Sequence, residues 1–145
     1  MLHRDMLIRQ IQQAVQVLML ALAQVLKLVS EQRYDEAIQR INDTLTGLDL
    51  APRPVGELSP RELVQLCRTE RGFSVDLALG IADLMREEAE ILLEKGLAEE
   101  ARAPASKAHA LYKESLATPG AAVPLDIGRK IERLEEIEEG RHAAE

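Results

Sequence analysis

Aromatic residues are almost missing from this chain: Tyr34, Phe73 and Tyr112 are the only three, and there is no tryptophan. Sheets draw heavily on aromatic and β-branched residues, and no sustained period-two alternation of apolar and polar residues runs anywhere in the sequence. A sheet protein is therefore excluded. The core has to be built from Leu, Ile, Val, Met and Ala, the residues of close helix–helix packing. The same shortage leaves almost nothing to stack on a base. With no basic stripe and a formal charge of −7, a nucleic-acid partner is not expected.

Cysteine and histidine are scarce too. Cys67 is alone and cannot form an internal disulfide, which favours a reducing compartment and a cytoplasmic location. It sits among Leu63, Val64 and Leu66 and reads as a packing thiol rather than a nucleophile. His3, His109 and His142 lie far apart in sequence and form no metal-ligand pair on one helix face, so no metal and no other cofactor is expected. Glycine-rich phosphate loops, a serine elbow and a Glu-x-x-His pair are all missing. The sequence does not read as an enzyme. Long hydrophobic runs are also lacking. The most apolar window, Ala14 to Val29, is interrupted by Gln16, Gln24 and Lys27 and reads as too short to span a bilayer. The start Met-Leu-His-Arg-Asp resembles neither a signal nor a transit peptide, so no membrane partner is expected.

What the chain does have is helical periodicity over the length of one domain, 145 residues. Two adjacent apolar rows run along the first helix, roughly Leu2 to Val29. One is Leu7, Ile11, Ala14, Leu18, Ala21, Val25 and Leu28; the other is Ile8, Val15, Met19, Leu22, Leu26 and Val29. Together they make a stripe wider than a single neighbour can cover. The connection Glu31-Gln32-Arg33 is short, so a second helix from Tyr34 to about Leu48 should return antiparallel. Pro52, Pro54 and Gly56 mark a loop. Ser59, Pro60 and Glu62 then predict a short capped helix, with Leu58 and Leu63 as a staple across its start. The spacing predicts a fourth helix from Val75 or Asp76 to Lys95, with Gly80 inside it, and a fifth from Ala98 to Ala117. Pro104 should kink or restart the fifth. A sixth helix carries Ile127, Ile131, Leu134 and Ile137, and the end from Gly140 to Glu145 should fray.

Arg33-Tyr34-Asp35-Glu36-Ala37-Ile38 and Glu94-Lys95-Gly96-Leu97-Ala98-Glu99-Glu100-Ala101 resemble the second-helix start of a tetratricopeptide repeat. Such repeats place small residues where helices approach closely. Ala89, Ala101 and Ala108 fall on those positions in the second unit, and Val25, Ala37 and Thr44 in the first. Ala37 and Ala101 are 64 residues apart, more than one repeat length, so a segment containing the third helix is inserted. Ala98 stands where the repeat prefers an aromatic. The start Asp5-x-x-x-Arg9-x-Ile11-x-Gln13, the Tyr34-x-Glu36-Ala37 step, Gly47-Leu48-Asp49-Leu50 and Glu94-Lys95-Gly96, in that order, resemble a bacterial family of helical proteins, the domain of unknown function numbered 6483. The resemblance covers most of residues 1–117 and implies a repeat-like helical fold without implying an activity.

The expected architecture is all-α: five to six helices as antiparallel, tetratricopeptide-like hairpins in one domain. Residues 1–50 form the first hairpin, 51–73 an inserted loop and short helix, 74–118 the second hairpin, and 119–145 a C-terminal capping helix and frayed end. The repeat resemblance implies an inner groove presenting Met19, Leu22, Leu26 and Val29 from the first helix. From the fourth it would present Asp83, Arg86, Glu90, Leu93 and Glu94. Such a groove, apolar on one side and acidic on the other, suits an amphipathic partner helix with some basic residues. Its acids can equally be a solvated face. Asp5, Arg9 and Gln13 line up at i, i+4, i+8 as either a local ion pair or a polar contact patch. The function expected is a non-catalytic protein–protein interaction or self-association module, with a homodimer as first partner. The alternative is a small-ligand sensor or enzyme accessory subunit with a pocket between helices one and four.

Overall fold

The computed structural model describes residues 2–140, with side chains from Leu7 to Gly140. Six α-helices account for most of this stretch: α1 (Leu2–Ser30), α2 (Tyr34–Thr46), α3 (Pro60–Cys67), α4 (Val75–Glu94), α5 (Ala98–Ala117) and α6 (Ile127–Glu139). A 3₁₀ turn, Val55–Glu57, precedes α3. A two-residue pair of strands, β1 (Arg68–Thr69) and β2 (Gly72–Phe73), links α3 to α4. The fold is all-α. Residues 141–145, where the end was expected to fray, lie outside the described residues.

α1 with α2, and α4 with α5, form two hairpins whose turns have one geometry. After α1, the Gln32 amide donates to the Val29 carbonyl (2.9 Å) and the Arg33 amide to that of Leu28 (2.9 Å). After α4, the Gly96 amide donates to Leu93 (2.9 Å) and the Leu97 amide to Leu92 (2.8 Å). Both pairs satisfy helix-end carbonyls in the same pattern, with the turning residue at positive φ, 60° for Gln32 and 79° for Gly96. Gln32 and Gly96 are 64 positions apart, as are Ala37 and Ala101.

α4 is the central helix, packed on α1, α2, α3 and α5, while α6 covers α5 on the far side. The small residues singled out by spacing are where the helices meet: Ala37, Ala89, Ala101 and Ala108 are fully buried, as is Val25, while Thr44 is half-buried. Gly80, an oddity by helix propensity, has a packing reason. A Cβ added there would stand 3.0 Å from Leu18 Cδ1 and 3.1 Å from Leu18 Cβ, so its bare backbone lets α1 and α4 close on each other.

The inserted segment forms as its sequence dictates. Ser59 Oγ accepts from the Glu62 amide (3.1 Å), and Glu62 Oε1 accepts from the Ser59 amide (2.9 Å). Pro60 opens the helix, and Leu58 and Leu63 are both buried. Pro104 does not restart α5, which runs unbroken from Ala98 to Ala117. The bond it removes would have gone to the Glu100 carbonyl, on an exposed residue in the first turn where water can replace it. The strand pair was not foreseen. The two-residue strands are too short to show alternation, and a turn with Gly72 at φ 116° sets them.

Candidate docking site

The outer side of α1 is the least ordinary surface of the molecule. Ala14, Leu18, Ala21 and Val25, from the first apolar row, are buried at 5% exposure or less. The second row stays partly in water. Met19 is 66% exposed and Leu26 46%, while Ile8, Val15, Leu22 and Val29 are half-buried. Leu20 and Val17 add 63% and 49% on the flanks. Only Arg9 and Lys27 carry charge between Leu7 and Ser30, and both are cations. This stretch of 24 residues, with mean hydropathy 1.5, is long and apolar enough to cross a membrane by length and composition. That corrects the expectation of a window too short to span: the apolar stretch begins seven residues before Ala14. Only 22% of the apolar window is buried in the bundle.

Beside the N-terminal half of α1 lies a cleft of about 870 Å³. Leu7, Ile8, Ile11, Val15 and Met19 form one wall, and the β1–β2 turn with the start of α4 forms the other, with Phe73 as its apolar element. Glu70, Arg71 and Asp76 stand at its polar edge. The turn is held by its own bonds: Thr69 Oγ1 donates to the Gly72 carbonyl (2.9 Å) and accepts from the Arg71 amide (3.2 Å). The Ser74 amide reaches the Cys67 carbonyl (2.7 Å). Arg68 lies 5.8 Å over the Phe73 ring and pairs with Glu114 of α5. This wall is therefore tied to α3, α4 and α5. Periodicity puts Ile8, Val15 and Met19 in one row, whereas the turn opposite them has only Thr69-Glu70-Arg71-Gly72, four turn-compatible residues, as its signal in the sequence.

The residues expected to line the groove have these surroundings. Met19, Leu22, Leu26 and Val29 remain on α1, with Leu22 and Val29 partly packed on the core. Asp83, Arg86 and Glu90 of α4 are engaged within the chain. The Tyr112 hydroxyl donates to Asp83 Oδ1, and Arg86 Nε donates to the Tyr112 oxygen (3.2 Å). Burial, then the neighbouring Asp83 charge, pushes the Tyr112 hydroxyl well above its ordinary range. Glu90 accepts from Arg133 of α6 through both oxygens, at 2.8 and 3.0 Å. Arg133 of α6 thus reaches across to the acidic side of α4 at Glu90. Burial raises the Glu87 and Glu88 carboxyls above the usual glutamate range. Leu93 is half-buried against the core and Glu94 is exposed.

In the polar patch, Arg9 and Gln13 are exposed on α1, and the Asp5 side chain lies outside the described residues. Gln13 borders a small hollow of about 230 Å³ shared with Gly47, Leu48 and Asp49. Among the described residues no group of three or more His, Cys, Asp and Glu could hold a metal ion. His109 sits between α5 and α6, with Nδ1 2.7 Å from Glu138 Oε1 and Nε2 3.8 Å from Glu135. The side chains of His3 and His142 lie outside the described residues. Cys67 is fully buried, and burial pushes its thiol up to about 12, leaving it protonated and unreactive near neutral pH.

Compared with known proteins, the chain matches no family model, no curated protein and no solved structure.

Proposed function

We propose that this chain is a non-catalytic, tetratricopeptide-like interaction module of a reducing compartment such as the cytoplasm, working by docking a protein surface on α1, with a homodimer as its first assembly. The observation that carries this reading is the uncovered second row of α1, above all Met19 at 66% and Leu26 at 46% exposure. The other helices bury their large apolar residues more completely, and an apolar row left in water marks an interaction surface. The two repeat-like hairpins are also fewer than such arrays usually need to stand alone. Light scattering tests it: the mass should rise towards two copies at tens of micromolar and return to one copy in Met19→Glu. A wild-type chain that stays monomeric there removes the homodimer. If affinity purification from the native host then recovers no partner that Met19→Glu loses, the interaction reading falls with it.

A second reading, a small-ligand sensor or accessory subunit, is favoured by the cleft itself, whose about 870 Å³ lies within the usual range of ligand sites. A thermal-shift screen of metabolites separates the readings. A reproducible stabilisation lost in Arg71→Ala, at the cleft edge, supports the ligand. Arg86 is engaged with Tyr112 and Glu87 away from the cleft lining, so Arg86→Ala is the control.

A further inference from the structure

We propose that His109, held between Glu135 and Glu138, is a proton-operated latch for α6: the helix is bound more tightly to α5 when the imidazole is charged and loosens when it is neutral. This latch lies at the end of the stack away from α1 and is independent of the docking surface there.

The two ring nitrogens carry the device. His109 stands between α5 and α6 with its side chain 16% exposed. Nδ1 is 2.7 Å from Glu138 Oε1. An ionised carboxylate only accepts, so the hydrogen of a neutral ring belongs on Nδ1 and Nε2 is left as an acceptor. Nε2 is buried and, among the described residues, is the only buried side-chain polar atom without a hydrogen-bond partner. It faces Glu135 Oε2 at 3.8 Å, a second acceptor. In the neutral ring a buried lone pair therefore meets a carboxylate, and an unsatisfied buried acceptor is costly. A proton on Nε2 reverses this. The orphaned atom becomes a donor, and a closure of about 1 Å brings Glu135 into bonding range. The imidazolium then lies between two carboxylates in charge-assisted bonds.

Both glutamates stand on α6, three positions apart on one face, so the charge of His109 acts on the docking of that helix. Neighbouring charges have other engagements. From α4, Glu90 accepts from Arg133 through both oxygens, and Arg86 donates to Tyr112. On α6, Arg133 also pairs with Glu136, and Lys130 lies 5.9 Å over the Tyr112 ring. On α5 itself Arg102 pairs with Glu99, and Lys113, one turn beyond His109, is exposed to water.

The sign follows from the bond count. The charged ring makes two bonds to α6 and the neutral ring one. Imidazoles change charge between about pH 5 and 8. The latch is thus complete on the acid side of that range, until the glutamates themselves protonate near about pH 4, and it is lost as the pH rises through the range. α6 is placed to respond: it is the last helix of the stack, packs on α5, and follows a loop with Pro119, Gly120 and Pro124. Terminal elements open first. Opening would bare Ile127, Leu134 and Ile137, which are buried in the closed state.

Amide hydrogen exchange on the full chain tests the latch, with each α6 rate divided by the free-chain rate at the same pH. Glu135 is the residue to change, because its side chain is 43% exposed and Glu135→Gln should fold. At pH 5.5 this variant should lose about two- to fivefold of its α6 protection, the worth of a partly exposed ion pair. At pH 8.0 protection should stay level or rise, since the glutamine amide can donate to the neutral Nε2. In a His109→Gln background the same change should have no effect at either pH. Burial raises the Glu87 and Glu88 carboxyls, so they also take up protons towards acid pH; the comparison of variants at one pH removes their contribution. An effect of Glu135→Gln that is equal at the two pH values, or that persists with His109→Gln, overturns the latch. If His109→Gln itself fails to hold α6, the single variant at the two pH values still decides.

Discussion

Gln32 shows how one residue can be legible in kind and hidden in detail. The short connection at Glu31-Gln32-Arg33 announces a hairpin, but a glutamine does not announce a left-handed backbone. The second hairpin uses Gly96 at the equivalent place, where φ is 79°, while Gln32 holds φ 60° with a Cβ in the way. Gln32→Gly is therefore expected to stabilise the fold by about 1 kcal/mol, read as a higher urea midpoint at unchanged slope. No change would mean that the glutamine side chain recovers the strain elsewhere. Gly80 runs the opposite way. Propensity favours alanine there by about 1 kcal/mol, but the new Cβ would meet Leu18 Cβ at 3.1 Å. That atom is fixed to the α1 backbone and cannot rotate aside, so the helices must separate, and overpacking of this kind costs about 1–3 kcal/mol. Gly80→Ala is expected to lower stability by about 1 kcal/mol. A net gain would show that α1 slides easily over α4. Periodicity marks Gly80 as unusual, whereas only the approach of Leu18 explains it.

Whole elements were easier to read than their partners. The ends of α4 and α5 fall within a residue of where Gly96 and the flanking periodicity place them. The capping box of α3 is complete because its bonds are local in sequence. The β1–β2 turn was lost because two residues per strand carry no period. The half-groove on α4 was read as open because nothing in the sequence says that Arg133 reaches Glu90 across 43 positions. How α6 is held can be separated by substitution. Leu134 and Ile137 are fully buried, whereas Arg133 and Glu90 keep about a third of their side chains exposed. Exposed pairs contribute about 0.2–1 kcal/mol even when well formed, and a buried leucine truncated to alanine loses about 2–5 kcal/mol. Leu134→Ala is therefore expected to cost several times what Arg133→Ala does in urea unfolding. Comparable losses would make the ion pair, not the apolar row, the anchor of α6.

At the scale of the molecule, the long helices stack in order, α1 with α2, both with α4, α4 with α5, and α5 with α6, while the short α3 packs beside them on α4 and α5. Such nearest-neighbour stacks lose structure from their ends, and the two ends here differ. α6 closes one with buried Ile127, Leu134 and Ile137 beneath a charged face. α1 closes the other with a row whose outer members remain in water. Its inner row, packed on α2 and α4, fixes α1 as part of the core. Its outer row makes the same helix the place where the fold is incomplete. Amide hydrogen exchange should register both facts. α4, packed on four helices, is expected to be the slowest to exchange, and the stretch of α1 from Leu7 to Met19 the fastest of the long helices. If a second copy supplies the missing wall, raising the protein concentration slows exchange in that stretch, and the residues from Thr69 to Asp76 gain protection with it, while α5 and α6 keep their rates. Protection that rises with concentration across all helices alike would indicate general stabilisation, and protection confined to α6 would move the interface to the opposite end of the stack.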